Sequence, residues 1–163
     1  MNALLVYPRF PDTYWSFRYA LSFQGKRAAQ PPLGLMTIAA LLPASWNKRL
    51  IDTNVERLKD SALAWADVVL LSGMHVQQQD LISIVRRCHA RGIRTVVGGP
   101  IASSMEPTAL ETDCVVIGEA ENLIATLARD LESDSMHPVY RAEGYPLMEH
   151  SPLPDLSLIR LSR

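Results

Sequence analysis

A serine and a histidine three positions apart, Ser72 and His75, come nearest in this sequence to a nucleophile with its general base. An α/β hydrolase would hold its serine in a Gly-x-Ser-x-Gly turn and orient its histidine with an acid. The sequence has no such turn around Ser72, and no acid is placed to orient His75. An esterase is therefore the least favoured interpretation.

The two cysteines, Cys88 and Cys114, lie 26 positions apart. Two thiols cannot hold an all-cysteine zinc site or a cysteine-ligated iron–sulfur cluster. Cys88 lies on the apolar side of a predicted helix and Cys114 begins a predicted strand, so we expect both in the core. The remaining histidines show no metal-ligand spacing. Free thiols and the lack of a long apolar run favour a cytoplasmic protein without a membrane span.

Charge is distributed unevenly along the 163 residues, although the net charge is only −1. A balance so close to zero argues against nucleic-acid binding driven by bulk charge. Residues 1–50 carry a net charge of +5 and residues 111–163 a net charge of −6. The basic part could face an anionic ligand such as a phosphate, or the two ends of one domain could attract each other or face solvent.

The elements that position these residues alternate between short apolar strands and amphipathic helices. Strands are predicted at residues 2–7, 48–53, 67–71, 93–97 and 114–117, and helical segments at 31–42, 54–65, 77–91, 107–111 and 120–131. Continuous apolar strands between helices predict a parallel sheet covered on both faces. The fold class is thus α/β, Rossmann-like or flavodoxin-like, with three αβα layers. We expect a doubly wound five-stranded sheet in the order 2-1-3-4-5, to which residues 139–142 could add an edge strand.

The predicted domain covers residues 1–148 and contains a long insertion after its first strand. Residues 9–30 hold six of the eleven aromatic residues, whereas such a loop normally has about two to six residues in all. The tail from residue 133 contains Pro138, Pro146, Pro152 and Pro154, and residues 149–163 predict a linker that leaves the domain.

Ligands of doubly wound folds bind outside the carboxyl ends of the strands. The predicted ends are residues 8–15, 72–77, 98–102 and 118–121, and three of the four contain glycine. The dinucleotide motif G-x-G-x-x-G and the P-loop motif are both absent. A phospho-receiver domain is also excluded, because Ser72 and Gly118 stand where its aspartate and lysine would be.

Four strings at these ends carry a family resemblance. They are PPLGL at 31–35, SGMHVQ at 72–77, VVGGP at 96–100 and VVIGEAEN at 115–122. In this order and spacing they resemble the N-terminal cobalamin-binding domain of B12-dependent radical SAM enzymes. The string PLPDLSLI at 152–159 is similar to the segment that joins this domain to the radical SAM barrel.

The resemblance implies cobalamin lying flat over the carboxyl edge of the sheet, with its nucleotide tail beside the strands. A broad, mostly apolar corrin suits glycine-rich strand ends and apolar cover. The expected cofactor-binding residues are Phe10, Tyr14, Trp15, Ser72, Gly73, Met74, His75, Gln77, Gly98, Gly99, Pro100, Ile101, Ala102, Gly118 and Glu119. The aromatic insertion is expected to cover the cofactor or to meet a partner domain. Replacing Gly99 with valine is expected to impair binding more than folding.

Two departures from related proteins limit what the resemblance implies. The D-x-H-x-x-G motif, whose histidine binds cobalt in methionine-synthase-like domains, has no counterpart after the first strand. Cobalt would then lack a protein ligand or be approached by a residue of another loop, with His75 or an aromatic cap as candidates. The C-x-x-x-C-x-x-C motif of the radical SAM barrel is also absent, so S-adenosylmethionine and a [4Fe-4S] cluster would belong to a missing part of the parent enzyme.

The expected function is therefore the cobalamin-binding module of a radical SAM methyltransferase. This chain would carry the methyl donor, would have no catalytic residue of its own, and would have the C-terminal radical SAM domain of the same polypeptide as its partner. The alternative is a flavodoxin-like interaction domain that has lost the corrin site and docks to a partner domain.

Overall fold

A six-stranded parallel sheet forms the centre of the molecule. The computed structural model describes residues 1–12, 30–147 and 151–159, together with residues 21, 23, 25, 26, 28 and 149. The strand order is β2-β1-β3-β4-β5-β6, and every pairing is parallel. The strands are β1 (Asn2–Tyr7), β2 (Asn47–Asp52), β3 (Val68–Ser72), β4 (Arg94–Gly98), β5 (Cys114–Ile117) and β6 (Val139–Arg141).

Helices connect the strands and cover both faces of the sheet. They are α1 (Leu33–Leu41), α2 (Asp60–Trp65), α3 (Gln78–His89), α4 (Pro100–Ser104) and α5 (Ile124–Glu132). Short 3₁₀ turns occur at His75–Gln77, Pro107–Leu110, Ala120–Asn122 and Leu156–Leu158. Among the described helices, none has the length and apolar character needed to cross a membrane.

Two apolar cores lie on the two faces of the sheet, because successive strand residues point in opposite directions. Leu5 and Leu70 point toward α1 and α5, in a core that also contains Cys114. Leu4 and Leu71 point the other way, in a core that contains Cys88. Burial on both faces explains why the central strands are apolar along their whole length. The prediction that both cysteines lie in the core is confirmed.

The predicted strand order is confirmed, and the sheet has six strands rather than five. The sixth comes from the segment that could add an edge strand, since Val139 pairs with Val115 in parallel. Tyr140 anchors this strand: its side chain is buried and its hydroxyl donates to Asp130 Oδ2 at 2.6 Å.

The helices differ from the sequence prediction in two places. The second helix was expected from residue 54 but begins at Asp60, because Asn54 turns back and donates to Asp52 Oδ1 from both its backbone and its side-chain nitrogen. A short helix that periodicity did not reveal, α4, follows Gly99.

The segment predicted as a departing linker packs in part against the domain. Ser151 Oγ donates to Glu121 Oε1 at 3.2 Å, and Asp155 N donates to Met36 O at 3.0 Å. Leu158 packs against the core beside α1. Residues 151–159 therefore lie along the domain instead of extending away from it.

Two basic side chains from the basic part, residues 1–50, stabilise the fold. Lys48 Nζ donates to the carbonyls of Ala39 and Leu42 at 2.8 and 3.2 Å, so it caps the carboxyl end of α1. The Arg49 guanidinium lies 4.0 Å from the centre of the Trp65 ring. Contacts within the protein therefore account for these two cations, without an anionic ligand.

A polar network around the buried Thr95 closes the opposite, amino-terminal edge of the sheet. Thr95 is fully buried, and its N and Oγ1 donate to Asp113 Oδ2 at 2.7 and 2.8 Å. His89 Nε2 lies 3.0 Å from the same oxygen. Partial burial acts to raise the pKa of Asp113, but the hydrogen bonds from Thr95 and His89 outweigh it and hold that pKa below its ordinary value.

We expect Asp113→Asn to lower the free energy of unfolding by about 1 kcal/mol at neutral pH, since the site is half-exposed and partly screened. A carboxyl whose pKa is lowered by folding stabilises the protein above its unfolded pKa, and this contribution disappears as the pH falls through the folded value. Denaturant unfolding of both proteins from pH 7 down to about pH 3 measures the difference, which should shrink below about pH 4. A difference independent of pH would contradict the role of the charge.

Candidate functional site

The predicted strand-end residues meet at one edge because the strands are parallel. The loop after β3 is tied to α4 by a hydrogen bond from Ile101 N to Gly73 O at 3.0 Å. The end of β5 approaches the same helix, since Gly118 N donates to Ser103 Oγ at 3.4 Å. The ends of β3, β4 and β5 thus form a continuous surface at the carboxyl edge.

The loop after β3 turns three side chains outward. Met74 and Val76 are each 50% exposed, and His75 is exposed between them. Phe10 adds a fourth group from the loop after β1, with its ring edge-on to Tyr7 at a centroid distance of 5.9 Å. Among the described residues, this edge therefore exposes the apolar side chains of Met74, Val76 and Phe10 together with the imidazole of His75.

Gln77 points the other way, into the protein. It is 1% exposed; its Oε1 accepts from Met74 N at 2.8 Å and its Nε2 donates to Pro8 O. Its side chain supports the loop and has no surface left for a ligand. The predicted contacts Ile101 and Ala102 are likewise turned into the core by α4, with at most 1% exposure.

Tyr7 and Asp52 are titratable groups beside this edge, and burial affects both. Partial burial, with the Asp52 carboxylate nearby, raises the pKa of Tyr7, against a smaller lowering by a hydrogen bond from Gln77. Burial raises the pKa of Asp52, although hydrogen bonds from Asn54 oppose it. Tyr7 therefore remains a neutral phenol near pH 7.

The described residues form no nucleophile–base pair at this edge. Ser72 and His75 make no hydrogen bond to one another in the described part of the chain. Burial raises the pKa of Cys88 to about 11 and that of Cys114 to about 12, so both thiols stay protonated.

A cavity of about 200 Å³ opens at the same edge, between α1 and α5. Its walls are apolar and come from the sheet and both helices, at Leu35, Ile38, Leu70, Val96, Val116, Ile124 and Leu127. Its mouth is polar and carries Ser72, Glu119, Glu121 and Ser151. An apolar interior with polar groups at the entrance suits a flat, mainly apolar group that carries hydroxyls.

Two glycines leave room at this cavity. A Cβ built on Gly34 would meet no other atom within 4 Å, so the packing of the protein itself does not require glycine there. A Cβ on Gly98 would make only ordinary contacts with Val116, at 3.7 Å. Packing within the protein therefore requires glycine at neither position, and the open space lies at Gly34.

Gly99 serves a different purpose. Its φ of 78° and ψ of −165° belong to a region that only glycine adopts readily. A Cβ there would collide with Ser72 Oγ. Replacing Gly99 would therefore strain the fold itself, which changes the expectation that valine there would impair binding more than folding.

Several predicted and unpredicted residues complete the site. Gly73, Pro100, Gly118 and Glu119 lie at the edge as expected. Tyr14 and Trp15 lie outside the described residues. Sequence reasoning missed Gly34, Thr37, Glu121 and Ser151 in the cavity wall. Of these four residues, only Gly34 could have been noticed in the sequence. It lies in the first turn of α1, where most other residues favour a helix more than glycine does.

Comparison with known proteins gives the following matches. Residues 27–128 match the model of a family described as the B12 binding domain. An uncharacterized methyltransferase of Synechocystis sp. is 36% identical over 163 residues, covering 99% of this chain and 30% of the relative. The hopanoid C-2 methylase of Rhodopseudomonas palustris is 33% identical over 165 residues, covering 98% and 31%.

A third relative, the bacteriochlorophyllide d C-8(2)-methyltransferase of Chlorobaculum tepidum, is 30% identical over 81 residues, covering 49% of this chain and 18% of the relative. The chain spans about three-tenths of the length of the first two relatives. No solved structure matches it.

Adjacent glycines at the end of β4 give a direct test of the site's backbone. We expect Gly99→Ala to lower the free energy of unfolding by about 2 kcal/mol, because of its backbone conformation and the collision with Ser72. Gly98→Ala is the matched control and should change stability by less than about 1 kcal/mol. Denaturant unfolding measures both. Equal losses would mean that Gly99 is not confined to glycine-only conformations.

Proposed function

Since the chain belongs to the B12-binding domain family, we propose that it holds cobalamin at the carboxyl edge of its sheet as the cofactor-carrying module of a methyltransferase. Its relatives include proteins named as methyltransferases and a methylase. We extend the proposal to a B12-dependent radical SAM methyltransferase, on the four strand-end strings and the tail string that resemble that class.

The observation that carries the proposal is the cavity between α1 and α5. Gly34 and Gly98 line it, and a Cβ at either position would collide with no atom of the protein. The apolar walls suit the aromatic base of the cobalamin tail, and the polar mouth suits its ribose hydroxyls. Ser72 makes no side-chain hydrogen bond within the described residues, so its hydroxyl is available there.

The exposed edge would then cover one face of the corrin. Met74, His75 and Val76 form an exposed surface, which we call the platform. Phe10 is exposed on the loop after the neighbouring strand, β1. Apolar side chains at half exposure gain from burial under a broad ligand, at about 25 cal/mol for each Å² removed from water. Bound cobalamin would supply the methyl group; the residues of this chain hold and orient it.

We propose that this chain acts as a carrier and that another part of a longer protein completes the transfer. Burial keeps both thiols protonated at neutral pH, so neither Cys88 nor Cys114 is expected to accept the methyl group.

That other part is proposed to be a radical SAM domain of the same polypeptide, with S-adenosylmethionine and a [4Fe-4S] cluster. The relatives are about three times as long as this chain. Leu153 and Leu156, in the segment that resembles the interdomain connection, are 90% and 57% exposed. Exposed leucines of this kind favour a contact with a neighbouring domain.

Cobalamin binding is tested by mixing the purified chain with hydroxocobalamin and removing free ligand on a desalting column. We expect corrin absorbance to elute with the protein. If none elutes with this chain or with a longer protein containing it, the proposal is wrong and the interaction-domain alternative gains support.

Filling the cavity tests where the cofactor tail lies. We expect Gly34→Leu to weaken cobalamin binding by at least about tenfold, since the side chain would occupy the cavity, while thermal stability is kept because leucine favours helix. Ala40→Leu is the matched control, since Ala40 is exposed on the same helix and does not line the cavity. Binding titrations compare the three proteins. Unchanged affinity in Gly34→Leu would mean that the cobalamin tail does not lie in this cavity.

His75 is proposed to face cobalt. Its imidazole is exposed on the platform and makes no hydrogen bond within the described residues. We expect His75→Ala to shift the visible spectrum of bound cobalamin and to remove nitrogen coupling from the cobalt(II) electron paramagnetic resonance signal. His137→Ala, at the opposite edge before β6, is the control. Spectra identical to the parent protein would mean that His75 does not meet the metal.

A further inference from the structure

We infer that Gln77 is a positioning residue for the cofactor: its buried amide sets the position of the platform Met74–Val76 relative to the loop after β1. The inference rests on the proposed cobalamin site. Gln77 itself is 1% exposed and would not touch the corrin.

The amide joins two loops that are far apart in the sequence. Oε1 accepts from Met74 N at 2.8 Å, within the platform. Nε2 donates to the carbonyl of Pro8, which follows β1. A second bond closes the turn, from Gln77 N to Met74 O at 2.9 Å. The platform is thus held from below by one side chain.

Chemistry explains why a glutamine stands here. A backbone N–H can only donate and a backbone carbonyl can only accept, so Met74 N and Pro8 O fix the orientation of the amide. A carboxamide offers an acceptor and a donor at the end of a single chain. A buried carboxamide is costly unless its hydrogen bonds are made, and here they are.

The carbonyl that Gln77 reaches belongs to a segment that is itself fixed. Asn54 Nδ2 donates to Pro8 O at 3.2 Å, and its Oδ1 accepts from Phe10 N at 2.9 Å. Asp80 Oδ2 accepts from Arg9 N at 2.7 Å. The chain leaving β1 is therefore a rigid support, and Gln77 transmits its position to the platform.

Space around the turn is tight enough to make this arrangement specific. A Cβ built on Gly73 would lie 3.3 Å from Gln77 Oε1, so the loop passes closely over the amide. Losing the amide would free Met74 N and let the platform shift. Small displacements of a preorganised site have large effects on binding.

The test compares cobalamin binding by the parent chain, Gln77→Met and Gln77→Asn. Methionine keeps the length and loses both hydrogen bonds; asparagine keeps the amide but is one methylene too short to reach both partners. Gln79→Met, two positions along on the exposed side of α3, is the matched control. Affinity is measured by titration with hydroxocobalamin, and the visible spectrum of the bound form is recorded with the thermal stability of each free protein.

We expect both Gln77 variants to bind about tenfold more weakly and with a shifted spectrum, and the Gln79 variant to match the parent. If Gln77→Met does not fold, Gln77→Asn decides, since it keeps a buried amide. Variants that melt at a lower temperature but bind with parental affinity and spectrum would show a purely structural role and overturn the inference. A parent chain that binds no cobalamin would instead overturn the proposed function, and the inference with it.

Discussion

The parallel direction of the six strands is the constraint on which the site depends. Because each strand must return through a connection across a face of the sheet, both faces are covered and the central strands are apolar throughout. Polar chemistry is thereby restricted to the two edges. At the amino-terminal edge, Thr95 and Asp113 are hydrogen-bonded to one another. At the carboxyl edge, Ser72 and His75 remain available to a ligand.

Glycines at the carboxyl edge have two different physical roles. Gly99 has a backbone conformation that only glycine adopts readily, and its lack of a side chain leaves room for Ser72. Gly34 and Gly98 line the cavity, and a Cβ at either position would cause no collision. A string of glycines in a sequence cannot distinguish these roles, since φ and the neighbouring atoms decide between them.

The sequence was sufficient for the architecture because buried strands and helical faces leave periodic patterns. It was less successful where a side chain overrides the pattern. The segment from residue 54 was predicted as a helix, yet Asn54 folds back onto Asp52 and α2 begins only at Asp60. Ile101 follows a strand end and so resembled a ligand contact, but the short α4 turns it into the core. Gln77 was expected at the cofactor for the same reason, and a 3₁₀ turn directs it inward. Ser151 left no signal, because its place depends on how a segment without periodicity packs.

The loop after β1 differs from the corresponding loop of methionine-synthase-like domains. In methionine-synthase-like domains a histidine of this loop reaches cobalt; here the same region reads Pro8, Arg9 and Phe10. Its first backbone groups are bonded to Asn54, Asp80 and Gln77 instead, which makes the loop a support. A support that reaches the platform through a buried amide confers rigidity without a metal bond. In the proposed cobalamin site, the platform after β3 and the cavity beside β4 orient the corrin, and both are joined to this segment through the sheet.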